Sequence, residues 1–292
     1  MNIILNIQGG LGKCILSTAL TRGIKKKYPN SYLIVVSGYP DVYLNNPTVN
    51  KSIRHNEQNG IYEKYIKNND SKFFIIDPYL TNQFQNDESH LINIWFELCG
   101  LKYKKEKPEF YLSKVEKQFY NTAYKSNKPI LTIQTNGGAS NQTMYYNWAR
   151  DMPENIVSKL INDFKKDYEI VHVKRKDQIT YSDTKHALDG YRSIAYLLSI
   201  SERVVCIDSF VQHLSKAMSK KAIVLWSATN PEMFGYNSNI NIKANTHTKK
   251  IDNNHSNYKE FQLVEPIERC PYDDLSEIFD YKLLYNAIKS NN

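Results

Sequence analysis

The sequence predicts an α/β protein of two Rossmann-like, doubly wound domains facing a central cleft. Three observations carry that expectation. Short apolar runs of strand length alternate with longer amphipathic segments along most of the chain. Two of those runs, at the N-terminus and near residue 130, open into glycine turns, IQGGLGKC and NGGAS. Between the halves lies SNKP (126–129), a polar, proline-containing piece suited to a linker. We therefore expect an N-terminal domain over 1–125, a C-terminal domain over 126–274, and a closing helix over 275–292 that packs back toward the first domain.

In the first half, the strand Ile3–Ile7 leads through the glycine turn to a helix over Lys13–Lys27 and a strand over Tyr32–Ser37. FFIID (Phe73–Asp77) reads as another short strand. His90–Cys99 shows helical apolar spacing (Leu91, Ile92, Ile94, Trp95, Leu98) and stops at Gly100, and the charged stretch KYKKEKPEF precedes a Lys-rich helix near 114–125. The second half repeats the rhythm. It has strands at Ile130–Gln134, Glu169–Val173, Arg203–Ile207 and Ala222–Trp226, and helices at Pro153–Lys166, Ser193–Ser199 and Val211–Met218. Asp274–Ile288 closes the chain as an amphipathic helix. Continuous apolar runs such as VVCI and AIVLW are the mark of parallel strands buried on both faces.

The glycine turn is no nucleotide-triphosphate loop. A Walker A loop needs a glycine five residues before its Gly-Lys and a Ser or Thr after it, whereas Ile7 and Cys14 hold those places. It also lacks the third glycine of a dinucleotide fingerprint, where Ile15 stands. What remains is the mechanics of a strand entering a helix through residues with no side chains, leaving helix amides open to a ligand. A plain tight turn has the same residues.

Composition narrows the class. With 41% hydrophobic residues in 292, the chain can build a sizeable core. No apolar run approaches the roughly 20 residues of a membrane span, and the N-terminal glycines interrupt any secretory leader. The four cysteines (Cys14, Cys99, Cys206, Cys270) lack metal-type spacing and read as reduced thiols of a cytoplasmic protein. The net charge of +8 fits an anionic partner such as nucleic acid, a membrane surface or a phosphorylated substrate; a general bias toward lysine explains it equally well.

Two blocks carry a family resemblance. The segment GKCILSTALTRGIKKKYPNSYLIVVSGYPDVYLNNPTV, through Gly12, Ile15, Thr18, Leu20, Lys25, Pro29, Asn46, Pro47 and Val49, resembles the N-terminal block of the ADP-heptose:lipopolysaccharide heptosyltransferase family. VVCIDSFVQHLSKAMSKKAIVLWSATNPEMFGY, through Asp208, Ser209, His213, Ala217, Pro231 and Gly235, resembles that family's donor-site motif. Residues 52–128 match weakly. The resemblance implies the GT-B architecture, with the acceptor site in the first domain, the nucleotide-sugar site in the second and the chemistry in the cleft. It further implies a metal-independent inverting glycosyltransferase with no cofactor, the nucleotide-diphosphate sugar serving as co-substrate. The sequence contains no Asp-x-Asp pair of the kind that holds a divalent cation on a diphosphate.

On that reading the leaving diphosphate must be neutralised by amides and cations. Asp208 and Ser209 are expected to cap the helix that follows them, leaving the amides of Ser209 to His213, and the His213 ring, aimed at a phosphate. Arg150, in Arg-Asp-Met-Pro, stands where the family carries a phosphate-binding lysine; its guanidinium fork suits a diphosphate, although an exposed Arg before a helix start reads the same way. Gly137 and Gly138 of NGGAS would line the cleft. Asp177, in KRKD at a strand end, would accept from ribose hydroxyls unless it is simply solvated. Gly10 and Gly12 form the acceptor-side turn.

An inverting transferase also needs a base for the acceptor hydroxyl. The family's candidate is an Asp directly after the glycine turn, and this chain has Lys13 there. The alternatives are Asp41 after the second strand, Asp77 at the end of FFIID, and Asp87, Glu88 and His90 in NDESH; Asp77 is preferred because open α/β sheets bind ligands at strand carboxyl ends. The acceptor reads equally as a glycan, a protein or a hydroxylated DNA base. A binding protein that kept the fold and lost the base is the reading from a different class.

Overall fold

The computed structural model describes residues 1–75, 77–137, 147–248 and 270–290. It holds two fully parallel sheets. The first contains β1 (Asn2–Ile7), β2 (Tyr32–Ser37), β3 (Lys51–Arg54) and β4 (Ser71–Ile75) in the order β3-β2-β1-β4. The second contains β5 (Ile130–Ile133), β6 (Glu169–His172), β7 (Lys185–His186), β8 (Arg203–Ile207), β9 (Ile223–Trp226) and β10 (Ile240–Lys243) in the order β10-β9-β8-β5-β6-β7. The α/β class and the two Rossmann-like halves are as the sequence led us to expect.

Strand order fixes where a ligand can sit. In the first sheet the winding reverses between β1 and β4, which run in register from Asn2 opposite Ser71 to Asn6 opposite Ile75. In the second it reverses between β5 and β8, with Thr132 opposite Val204. At each reversal the two connections leave in opposite directions and open a crevice at the strand carboxyl ends. The glycine turn and Asp77 emerge from the first crevice. Gln134, Asn136, Asp208 and Ser209 emerge from the second.

The connecting helices are α1 (Leu11–Lys27), α2 (Asn82–Gln85), α3 (Leu91–Leu98), α4 (Lys114–Ala123), α5 (Glu154–Phe164), α6 (Tyr191–Ile200), α7 (Phe210–Ala217), α8 (Pro231–Phe234) and α9 (Tyr281–Lys289). Among the described residues, none is long and apolar enough to cross a membrane. α1 lies on α7, so the two halves share one continuous core that runs from Ile3 and Leu5 through Cys14 and Leu20 to Val211, Leu214 and Val224. Gly12 makes the close approach feasible, since a Cβ there would lie 3.2 Å from His213 Cδ2 and 3.6 Å from Phe210 Cα.

Several elements differ from expectation. The edge strands β3, β7 and β10 (KSIR, KH and INIK) were not anticipated, because short polar edge strands lack the apolar signature of their buried neighbours. Asp274–Ile288 is not one helix. A short turn over Leu275–Glu277 precedes α9, whose start is set by Asp280, its carboxylate accepting from the Lys282 amide at 2.8 Å. Nor does α9 reach toward the first domain. Its fully buried Leu284 and Ile288 join Leu131, Ile133 and Ile223 on one face of the second sheet, while Tyr281 and Lys289 bind Asp163 and Asp167 on and just beyond α5.

Candidate functional site

Both crevices open into one cleft of about 850 Å³, walled by residues of both halves. On the first-domain side, β1 runs out through Gly9, whose φ of +107° suits only glycine, into α1. Lys13 lies in the first turn of α1. Its Nζ donates to both carboxylate oxygens of Asp77 at 2.8 Å and sits 4.5 Å from the centre of the Tyr79 ring. Asp77 Oδ1 also accepts from the Tyr79 amide at 3.1 Å, so the carboxylate is held from two directions. The two expected candidates are therefore one ion pair at the mouth of the first crevice.

The Tyr79 ring meets Phe84 at 4.6 Å and Phe234 at 6.2 Å, which ties this wall to the second domain. His90, at the N-terminus of α3, does the same. Its Nδ1 accepts from the Ile92 amide, leaving the hydrogen on Nε2 to donate to the Gly235 carbonyl at 3.0 Å. Burial pushes His90 down to about 4, so it bridges the halves as a neutral ring.

On the second-domain side, β8 ends in Asp208 and Ser209 and α7 follows. Neither caps α7 with its side chain, contrary to expectation. Ser209 stands at the N-cap position in extended backbone, but its Oγ receives Gln134 Nε2 at 3.1 Å, and Asp208 Oδ1 receives Gln212 Nε2 at 2.6 Å. The glutamines hold both groups outside the helix axis. α1 and α6, whose N-cap residues Gly10 and Gly190 also line the cleft, likewise lack side-chain caps, whereas α3, α4 and α9 are capped by His90, Ser113 and Asp280. Three helix N-termini thus bring first-turn amides, and the positive ends of their dipoles, to one cleft.

His213, in the first turn of α7, lines this cleft and shares a 2.9 Å hydrogen bond with the Tyr236 hydroxyl through Nδ1. Burial, with smaller contributions from His90 and Arg150, pushes it down to about 3, so the ring is neutral at physiological pH. Arg150 lines the cleft as well, its aliphatic chain against Gly137, where a Cβ would come within 3.3 Å of Arg150 Cδ. Asp151 braces that turn, accepting from the Gly137 amide and from Asn136 Nδ2, each at 2.9 Å. Gly138 lies outside the described residues.

Two expected residues sit elsewhere. Asp177 is not on the cleft lining, which Lys174, Arg175 and Gln178 form instead; its carboxylate is drawn to Arg175 Nε at 3.1 Å. Asp41 also stays off the lining, in a short turn over Pro40–Tyr43 whose Asp41 carbonyl accepts from Arg192 Nη1 at 2.7 Å. Sequence reasoning missed Gln134, Tyr79, Phe234 and the Asp189-Gly190 step. The last had a signal, a Gly with φ of +95° opening a helix, which repeats the logic of the first glycine turn.

The chain matches the model of glycosyltransferase family 9 (heptosyltransferase) over residues 191–263. No curated protein matches it. Among solved structures, a family 9 glycosyl transferase from Veillonella parvula superposes with a TM-score of 0.69 at 13% identity, covering 97% of this chain and 95% of that one. The ADP-heptose lipopolysaccharide heptosyltransferase II of E. coli gives 0.67 at 12% identity, over 99% and 98% of the two chains. Two Rossmann-like domains about a cleft, together with the family match over residues 191–263, give the chain the GT-B architecture of glycosyltransferases. Over residues 191–263, about a quarter of the chain, the sequence is similar to the heptosyltransferases of family 9.

Proposed function

We propose that the protein transfers a sugar from a nucleotide-diphosphate sugar to an acceptor hydroxyl by a single inverting displacement, without a metal. The donor diphosphate sits at the N-terminus of α7, against Arg150 and the neutral His213. The observation that carries this reading is the pairing of Lys13 with Asp77 at 2.8 Å in the cleft that Arg150, Asp208 and His213 also line. The acid that the resembling family keeps after its glycine turn is here supplied by the neighbouring strand end, and the lysine in its place holds it.

In the step itself Asp77 accepts the acceptor hydroxyl proton as the oxygen attacks the anomeric carbon. The bond from that carbon to the diphosphate oxygen breaks, and its electron pair leaves with the diphosphate. Amides of α7 and the Arg150 guanidinium take up the growing charge, and a neutral imidazole adds a hydrogen bond without repelling Arg150. Lys13 holds the Asp77 carboxylate in place until the proton arrives. ADP-heptose is the first donor to try, because the family description and a superposing structure name heptosyl transfer and ADP-heptose.

A thermal-shift screen against ADP-, UDP- and GDP-sugars, followed by turnover, tests the reading. A donor at a hundredfold excess over its Kd stabilises the fold by about 2.7 kcal/mol. We expect one donor class to raise the Tm and the Arg150→Ala variant to lose that shift. Binding without turnover on any glycan, protein or hydroxymethylated DNA acceptor would favour the non-catalytic reading, and no shift with any donor would overturn the site.

A further inference from the structure

The stretch that joins the two sheets carries an unusual surface. Between residues 102 and 128 there are eight lysines and three glutamates, and every one of the lysines is exposed. The three acids are already neutralised from outside the stretch: Glu106 by Lys26, Glu109 by Arg22 and Glu116 by Arg192. None of the eight lysines forms an ion pair among the described residues. The stretch therefore presents far more uncompensated positive charge than its composition suggests.

Apolar side chains stand in the same surface. α4 is docked by its inner face: Arg192 holds Glu116, Tyr120 packs on Tyr196 at 6.0 Å, and the Tyr124 hydroxyl accepts from the Leu188 amide at 2.9 Å. Its outer face carries Val115 and Phe119, one helical turn apart and 74% and 65% exposed, beside Lys114. An exposed Val and Phe on one helix face, on the same helix as the exposed Lys114 and Lys117, cost solubility unless something covers them.

We infer that the outer face of α4 and the lysines around it form a docking surface for an anionic lipid bilayer. Charge complementarity brings the surface to negatively charged headgroups, and Val115 and Phe119 enter the headgroup–acyl boundary beneath them. A basic patch and a small apolar anchor are each too weak to hold a protein on a membrane, and together suffice for reversible binding. A nucleic-acid backbone would use the lysines but leave Val115 with nothing to contact, so the apolar half of the surface favours the bilayer.

The test is co-sedimentation of the full-length protein with phosphatidylglycerol-containing vesicles, pure phosphatidylcholine vesicles and, separately, duplex DNA, at physiological ionic strength. We expect binding to the anionic vesicles only. The V115S/F119S double variant should weaken it about tenfold or more, and K114Q and K125Q about fivefold each. Thermal melts unchanged from the parent confirm that the variants fold, since none of these side chains is buried. Absence of binding to anionic vesicles, equal binding to phosphatidylcholine, binding indifferent to both sets of substitutions, or DNA binding in place of vesicle binding would each overturn the proposal.

Discussion

Asp77→Asn separates a base from a structural acid. The amide keeps one oxygen that can accept from both the Tyr79 N–H and Lys13, loses the second acceptor to an NH2 group, and cannot take a proton. The ion pair it weakens is partly solvated, with Asp77 36% and Lys13 11% exposed, and Lys13 retains the Tyr79 ring 4.5 Å away. The stability cost should therefore be about 1 kcal/mol, a Tm change of roughly 2 °C in a chain of this size. Loss of a general base costs far more in rate, about 10²- to 10⁴-fold. The assay is single-turnover release of nucleoside diphosphate, with donor affinity measured in parallel by thermal shift. We expect kcat to collapse while donor binding and Tm hardly move. Lys13→Met should cost less, and the double variant should be no slower than Asp77→Asn alone, because Lys13 acts through Asp77. A D77N enzyme within about fivefold of the parent, or a double variant whose losses multiply, refutes the assignment.

Three further outcomes follow from the geometry. Gly12→Ala pushes a methyl to 3.2 Å from His213 Cδ2, so it should destabilise by about 1–2 kcal/mol and raise the donor KM, whereas Gly10→Ser meets open space and should be neutral or slightly stabilising in urea melts. Folding holds His90, His172 and His213 at about 4, 3 and 3, below the ordinary value of 6.5. The unfolded chain therefore binds more protons, and stability must fall as the pH drops from 6.5 toward 4, with a slope approaching about 4 kcal/mol per pH unit that replacement of His90 by Asn makes shallower. Arg192 holds Glu116 down to about 2, from 4.5, so that contribution is present above pH 4.5 and lost as the pH falls toward 2. Glu116→Gln should accordingly cost about 3 kcal/mol at pH 7 and much less at pH 3, as read from denaturant midpoints.

How much of this was legible depended on whether a residue's role is local. The strand–glycine–helix turn at 7–14 and the strand–turn–helix block at 204–236 were readable because each is carried by contiguous residues: an apolar run, a short turn of glycines or small polar residues, then helix amides. The role of Asp77 was only partly readable. Its place at a strand end was visible, but its pairing with Lys13 spans 64 positions and exists only because β4 lies beside β1. Ser209 misled for the same reason. As a cap it is a sound local reading, yet Gln134, a residue from another strand end, takes its hydroxyl. Asp177 and Asp41 both follow strands, but position after a strand is not enough: Arg175, two residues away, draws the Asp177 carboxylate off the cleft, and Arg192, 151 positions distant, holds the Asp41 carbonyl.

The cleft's two walls are not independent parts brought together by the ligand. Gly12 belongs to the first-domain glycine turn, yet the space it leaves is filled by His213 of the second domain, while Tyr79, whose amide donates to Asp77, packs on Phe234 across the same boundary. A displacement at Gly12 is therefore felt at the donor through the imidazole, and one at Phe234 is felt at the proposed base through Tyr79. Phe234→Ala tests that coupling. It should leave donor affinity within about threefold but lower kcat together with Asp77's hold on Lys13, and combined with Asp77→Asn it should slow the enzyme no further. If Phe234→Ala changes only stability, with kcat intact, the aromatic bridge is packing alone and Asp77 is positioned by its own strand end.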